Sequence, residues 1–243
     1  MPLGKIRNSA GEHIDATFHT GTKHDALVIL GHGVTGNKDR PLMVALAEAL
    51  SKRGWPCLRI SFSGNGKSGG RFEDSTITKE CGDLREVLAS VPDFIRIIYI
   101  GHSMGAAVGV LVAAKDLNIR ALVSLAGMVH TEAFLDREFG DVTPGDGLMW
   151  DEPDCPLSVT FAKDMRTIGS VLDAAKRVPQ PWLIVHGTAD DVVPISDGRD
   201  AKEASLNGSE WVEIEGAGHS FDGHHDEVSR IVGDWIERVL NGG

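Results

Sequence analysis

From residue 26 onward, short unbroken apolar runs alternate with segments of helical period, and few architectures accept that pattern. Residues 26–30, 57–60, 97–100, 121–125, 182–185 and 211–214 read as strands, most without the in-and-out alternation of a half-exposed sheet. Strands that are apolar on both sides belong inside a parallel sheet covered by helices. Between them, Leu42, Leu46, Ala49 and Leu50 mark one helix face, and Leu84, Val87 and Leu88 a second. Val228, Ile231, Val232, Trp235, Ile236 and Val239 mark a third, at spacings of three and four that keep them on one side of a helix. Ahead of the alternation, residues 5–7 and 13–18 flank the turn cluster Asn8-Ser9-Ala10-Gly11 and predict an antiparallel hairpin at the sheet edge. The expected fold is α/β, with a mostly parallel central sheet flanked by helices.

The alternation fails once, over residues 127–166. Pro144, Pro153 and Pro156 interrupt any helix there, and the stretch carries Phe134, Phe139, Trp150 and Phe161. So long a segment without regular elements of its own suits a lid or cap. No repeat or linker appears elsewhere, so a single domain over 1–243 is expected, with this cap inserted above the C-terminal edge of the sheet.

Charge narrows the partners. The 24 Lys and Arg against 35 Asp and Glu give a net charge of −11, which repels phosphate backbones and anionic lipid surfaces, so neither nucleic acid nor membrane is an expected partner. Residues 104–114 form the longest apolar stretch, short of the ~20 residues that span a bilayer. Residues 1–10 show no apolar core of an export signal. Cys57, Cys81 and Cys155 are odd in number and far apart, which excludes a disulfide framework and fits a reducing cytoplasm.

Gly101-His102-Ser103-Met104-Gly105 fits G-x-S-x-G between the strand at 97–100 and a small-residue helix starting near Met104. A serine on so sharp a strand-to-helix turn has strained backbone angles, and neighbouring β-carbons would collide, hence the glycines. The turn lifts the hydroxyl clear of the sheet and aims the free N–H groups of a helix N-terminus at the same point. A hydroxyl needs a base to become a nucleophile, and two strand-end loops downstream offer one. Residues 186–194 carry Asp190 and Asp191, and residues 215–221 carry His219. The order Ser103, Asp190, His219 is one of the known orders of a Ser-His-acid triad. Only one of the paired aspartates can face the imidazole.

With these motifs the chain resembles the α/β-hydrolases, and within them the small intracellular esterases that include cinnamoyl or feruloyl esterases and acylglycerol lipases. The resemblance runs over residues 31–240. It also covers His32-Gly33-Val34-Thr35-Gly36-Asn37-Lys38, similar to the family's oxyanion loop, and the glycine-rich residues 61–70. It implies Ser103, His219 and Asp190 as the triad, the last by the family's H-G-x-x-D spacing, and the N–H groups of Val34 and Met104 as the oxyanion hole. Ser61 stands where family members usually carry Asp, so what that carboxylate stabilises must be done differently here.

Several features read as structural. Gly64-Asn65-Gly66-Lys67-Ser68-Gly69 satisfies G-x-G-x-x-G, but no helix opens at the third glycine, so it is expected to be a flexible loop beside the active site. His224 and His225 near the last helix match no strand-end position, and with His219 and Asp222 they lack the spacing of a metal site. His13, His19, His24 and His130 suit the surface, and Trp182, Trp211 and Trp235 the core. Between Met128 and Arg166 nine acids outnumber three bases, while Phe139 and Trp150 offer an apolar surface for a substrate. The expected activity is cofactor-free hydrolysis of a small carboxylic ester, neutral and with an apolar or aromatic acyl group. The triad alone also permits a peptidase or amidase, and the fold alone a non-catalytic ligand carrier.

Overall fold

The computed structural model describes residues 4–241, and in it the six apolar runs are six parallel strands of one seven-stranded sheet. These are β2 (Ala26–Gly31), β3 (Cys57–Ile60), β4 (Arg96–His102), β5 (Ile119–Leu125), β6 (Trp182–Gly187) and β7 (Glu210–Ile214), with β1 (Ala16–His19) ahead of them. The spatial order is β1-β3-β2-β4-β5-β6-β7, and only the edge strand β1 runs antiparallel, Ala16 facing Ile60 and His19 facing Cys57. β2, β3 and β6 are buried at every residue, which is why they carry no alternation. In β2 and β4, Gly31 and Gly101 stand side by side at the C-terminal edge, so the two loops that follow leave the sheet together.

Each face of the sheet has its own core. On one face Val28, Leu30, Ile98, Ile100, Val123 and Val185 pack against α1 (Pro41–Lys52) and α8 (His225–Asn241). On the other Leu27, Ile29, Leu58, Ile97, Tyr99 and Leu122 pack against α2 (Ile77–Ala89) and α3 (Met104–Ala113). The expected helix faces at Leu42 and Leu46, at Leu84, Val87 and Leu88, and at Val228, Val232, Trp235 and Ile236 are the buried ones. Trp182 and Trp235 are buried, and Trp211 is half-buried. Among the described residues no helix is long and apolar enough to cross a membrane.

Two expectations need correction. The N-terminal hairpin shrinks to a single bridge between Arg7 and His13, and the chain joins the sheet as β1 only from Ala16. Residues 127–166, read as lacking period, hold α4 (Thr131–Phe139) and most of α5 (Val159–Ile168). α6 (Leu172–Ala175) and α7 (Ile195–Ala204) follow on either side of β6. The helices are short, and the prolines fall between them, which hid a real pattern: Thr131, Phe134, Leu135 and Phe139 line the buried side of α4. Phe161, Ala162 and Met165 do the same in α5, whose start is capped by the Ser158 side chain accepting the Phe161 N–H.

Candidate active site

Ser103 sits between β4 and α3 with φ 54° and ψ −120°, a conformation that costs a non-glycine residue free energy and persists only where the surroundings impose it. Here they do. Its N–H donates to the Leu125 carbonyl (2.9 Å), and its own carbonyl accepts the N–H groups of Ala106 (3.0 Å) and Met128 (3.2 Å). The flanking glycines answer to contact as expected: a β-carbon on Gly101 would lie 2.3 Å from the Gly105 carbonyl oxygen, and one on Gly105 2.5 Å from that of His32. α3 therefore presses its first turn onto the ends of β4 and β2.

The loop after β2 packs directly on this serine. The Gly33 carbonyl accepts from His32 Nδ1 (2.9 Å) and from the Gly36 N–H (3.0 Å). A trans peptide points its C=O and N–H in opposite directions, so these bonds aim the Val34 N–H away from both donors. Among the described residues neither that N–H nor the Met104 N–H donates to a protein acceptor. His32 Nε2 accepts the Phe62 N–H (3.0 Å), which leaves the ring proton on Nδ1. Burial pushes the His32 pKa down to about 4, so this tautomer persists at neutral pH.

Asp190 and His219 come from the loops after β6 and β7. His219 Nδ1 lies 3.0 Å from Asp190 Oδ2 and 3.1 Å from Oδ1. Oδ1 also accepts the N–H groups of Val192 (3.0 Å) and Val193 (2.9 Å). The carboxylate side chain is fully buried. Burial by itself raises its pKa, yet the bonds from His186, His219 and the Val193 N–H outweigh it and hold the group below the usual carboxylate range. Asp191 is exposed. His102, the second residue of the elbow, donates from Nε2 to the His219 carbonyl (2.9 Å), with the two rings 4.8 Å apart. Burial, then the neighbouring His219, pushes the His102 pKa down to about 3.

Ser103 and His219 border one cavity of about 470 Å³, together with His32, Val34, Leu42, Met43, Trp150 and Val192; Arg40, Glu152 and Asp222 add charge to its lining. Trp150 thus stands where a bound molecule would touch it, half out in solvent, its Nε1–H on Glu138 (3.1 Å). Phe139 does not line the cavity. It is buried behind Trp150, the ring centroids 4.8 Å apart, because it lies on the inward face of α4. The glycine-rich loop is likewise neither loose nor part of the lining. The Gly64 N–H donates to the Gly69 carbonyl, Gly69 N–H to the His13 carbonyl, and Ser63 N–H to the buried Asp83 (2.7 Å). Ser61 accepts the Lys38 N–H on its hydroxyl (3.1 Å). His224 approaches Glu227 (3.4 Å) and His225 the Ser220 carbonyl (3.1 Å), and neither is among the cavity-lining residues.

Four supporting residues escaped the sequence reading: His32, His102, His186 and Asp197, whose Oδ2 accepts the Val129 and His130 N–H groups (2.8 and 3.1 Å). The three histidines share a signal, since each stands at a strand's C-terminal end, next to or one residue from a glycine. There an imidazole can satisfy backbone groups of the adjoining loop.

The chain is similar to known proteins. A family model described as "Alpha/beta hydrolase family" matches residues 27–231. An uncharacterized protein of Mycobacterium tuberculosis is 27% identical over 91% of this chain and 72% of its own length. A monoglyceride lipase homolog of monkeypox virus is 24% identical over 87% of this chain and 88% of its own. The structure of Est1E from Butyrivibrio proteoclasticus with ferulic acid bound is 26% identical, covers 98% of this chain and 99% of its own, and gives a TM-score of 0.85.

Proposed function

The chain belongs to the alpha/beta hydrolase family, and from that premise we propose that it hydrolyses small carboxylic esters with Ser103, His219 and Asp190 as its triad. One observation carries the reading: a serine in a strained elbow and a histidine bonded to a buried carboxylate border the same cavity, next to two N–H groups without protein partners. His219 takes the Ser103 proton as the oxygen attacks the acyl carbonyl, and returns it to the departing alcohol. Asp190 keeps the Nδ1 proton on the far side of the ring and stabilises the imidazolium. The Val34 and Met104 N–H groups receive the charge that develops on the carbonyl oxygen. Water, activated by the same histidine, then releases the acid from the acyl-enzyme. The scheme asks for no cofactor.

The cavity's Val34, Leu42, Met43, Trp150 and Val192 suit an apolar or aromatic acyl group, and Est1E holding ferulic acid is in keeping with that. In this reading residues 127–166 are a cap on a single domain, the substrate is a neutral small molecule, and the three buried thiols suit a reducing cytoplasm. The decisive experiment pairs Ser103→Ala with a fluorophosphonate probe on the intact protein. Wild type is expected to label at Ser103 and to cleave aryl and alkyl esters faster than matched amides. The variant should lose both properties, with a rate loss on the order of 10⁴-fold or more. A folded variant that keeps a tenth of the activity overturns the assignment.

A further inference from the structure

The carboxylate of Asp190 is held by more than its partner in the triad. Oδ1 is tied to the backbone by the Val192 and Val193 N–H groups. Oδ2 faces two imidazoles, His219 Nδ1 at 3.0 Å and His186 Nε2 at 3.2 Å. His186 lies within β6 and is fully buried, and the same Nε2 stands 2.9 Å from the Val193 carbonyl oxygen. A carbonyl can only accept, so Nε2 carries the ring proton. Among the described residues Nδ1 has no hydrogen-bond partner, and it faces Gly198 of α7, where an added β-carbon would stand 2.8 Å away. A glycine inside a helix costs about 1 kcal/mol against alanine, and at this position the close approach of His186 and of the Trp211 ring requires it.

We propose that His186 is a positioning residue, whose single N–H, shared between Asp190 Oδ2 and the Val193 carbonyl, fixes both the plane of the carboxylate and the loop that bears it. The proposal rests on the triad reading above. With only Oδ1 tied to the backbone, the carboxylate would turn about its Cβ–Cγ bond, and Oδ2 would leave the line of the His219 N–H. With Oδ2 held, His219 meets an acceptor of set direction, which orients its Nε2 toward the serine. The donor also takes up part of the negative charge that the Val192 and Val193 N–H groups leave to His219. Glu213 of β7, whose carboxyl senses His186, and Arg199 of α7, paired with Glu213 at 3.0 Å, also face this side, and both lie on elements that pack around β6. His102 of β4 senses both His219 and Asp190. All three persist in the variants below.

The test compares His186→Leu, which removes the donor, with His186→Gln, whose amide can reach the same acceptors, each in wild type and in Asp190→Asn. His186→Leu is expected to lower kcat by roughly 10-fold or more with KM within about 2-fold, and His186→Gln to recover most of that loss. Loss of a donor leaves the Asp190 charge more available to the His219 imidazolium, so the acid limb of the kcat/KM profile should move to higher pH in His186→Leu. In Asp190→Asn, His186→Leu should add less than about 2-fold, because it acts through the carboxylate. A folded His186→Leu with wild-type kcat, or a full further loss in Asp190→Asn, overturns the proposal. Should His186→Leu not fold, ¹⁵N spectra of histidine-labelled wild type decide: the Nε2–H form is required, and the Nδ1–H form refutes it. An active Asp190→Asn would instead sink the triad reading itself.

Discussion

A β-carbon placed on Gly33 would stand 2.7 Å from the β-carbon of Ser103 and 3.1 Å from its hydroxyl oxygen. The loop after β2 and the elbow after β4 are thus in contact through a residue that must lack a side chain. The two strands pair in register up to Gly31 and Gly101, so the contact is built by the sheet itself. Gly33→Ala should push the Val34 N–H out of place or turn Ser103 from its rotamer. A kcat loss of about 100-fold is expected, with KM little changed, because the damage falls on the transition state. Steady-state kinetics on an aryl ester, beside a thermal melt to show the fold intact, would check it.

The adjacent aspartates offer a sharper contrast. Asp190 is buried and bonded to His219, whereas Asp191 is exposed. Asp190→Asn keeps the shape but presents an N–H or a weak acceptor to Nδ1, and the wrong tautomer follows. A fall in kcat of roughly 10³-fold or more is expected, against less than about 3-fold for Asp191→Asn. Equal losses from the two variants would mean that the pair acts jointly, and a larger loss in Asp191→Asn would reverse the choice of partner.

How far the sequence discloses this molecule depends on how local each signal is. Six strands fall within two residues of the apolar runs, because burial on both faces writes itself into consecutive residues. That Ser103 stands in an elbow and that Asp190 meets His219 was legible because glycine spacing and strand ends mark their loops. α4 and α5 were not: each has three or four buried positions, too few to stand out against prolines in the same window. Phe139 misled for a related reason. Composition shows that an aromatic is present in the segment, but the face of α4 it occupies decides whether it meets solvent or Phe134. The supporting histidines were hidden more deeply, since their position beside a strand-end glycine marks where they stand but not the backbone groups they meet.

Acid should destabilise the fold through two of those histidines. His32 and His102 are held at about 4 and about 3 by burial, below the ordinary 6.5. Between those values the unfolded chain binds protons that the folded one refuses, so stability is full above pH 6.5 and falls as pH drops. Each contributes up to about 1.4 kcal/mol per pH unit inside its window. Asp190, held below the usual carboxylate range, adds a loss in the same direction at lower pH. Urea midpoints measured at pH 7 and pH 5 should differ, and His102→Gln should narrow the difference.

Glu80 works in the opposite sense. It is fully buried, and burial followed by the nearby Asp83 pushes its pKa well above the ordinary 4.5. Among the described residues only one carboxyl oxygen has a partner, Oε1 accepting from Ser75 Oγ at 3.2 Å, while Oε2 has none. The folded state therefore keeps a proton that the unfolded state releases, and this contribution is complete below pH 4.5 and lost as pH rises through the folded value. Glu80→Gln supplies a permanently neutral side chain of the same shape. Its Tm should exceed wild type by a few degrees at pH 8, and the gap should close near pH 4.5.

Trp150 is the residue through which the segment 127–166 would choose its substrate. Its backbone is in the left-handed region (φ 49°, ψ 33°), which places the indole over the cavity instead of in the core with Phe134 and Phe139. The two aromatics behind it fix its plane at centroid distances of 6.4 and 4.8 Å. Glu152 and Asp222 share the cavity lining with one cation, Arg40, and the surrounding segment carries excess acid. An ester bearing a carboxylate must approach against that field, whereas a neutral aromatic ester meets the indole without electrostatic cost. Trp150→Ala should therefore reduce kcat/KM about 10-fold for an aromatic acyl ester and much less for a short alkyl one. Matched neutral and anionic esters should differ most at low salt and converge as the Debye length shortens. If the anionic ester is cleaved equally well at low salt, charge in the lining plays no part in selection, and an unchanged acyl preference in Trp150→Ala would remove the indole from the substrate site.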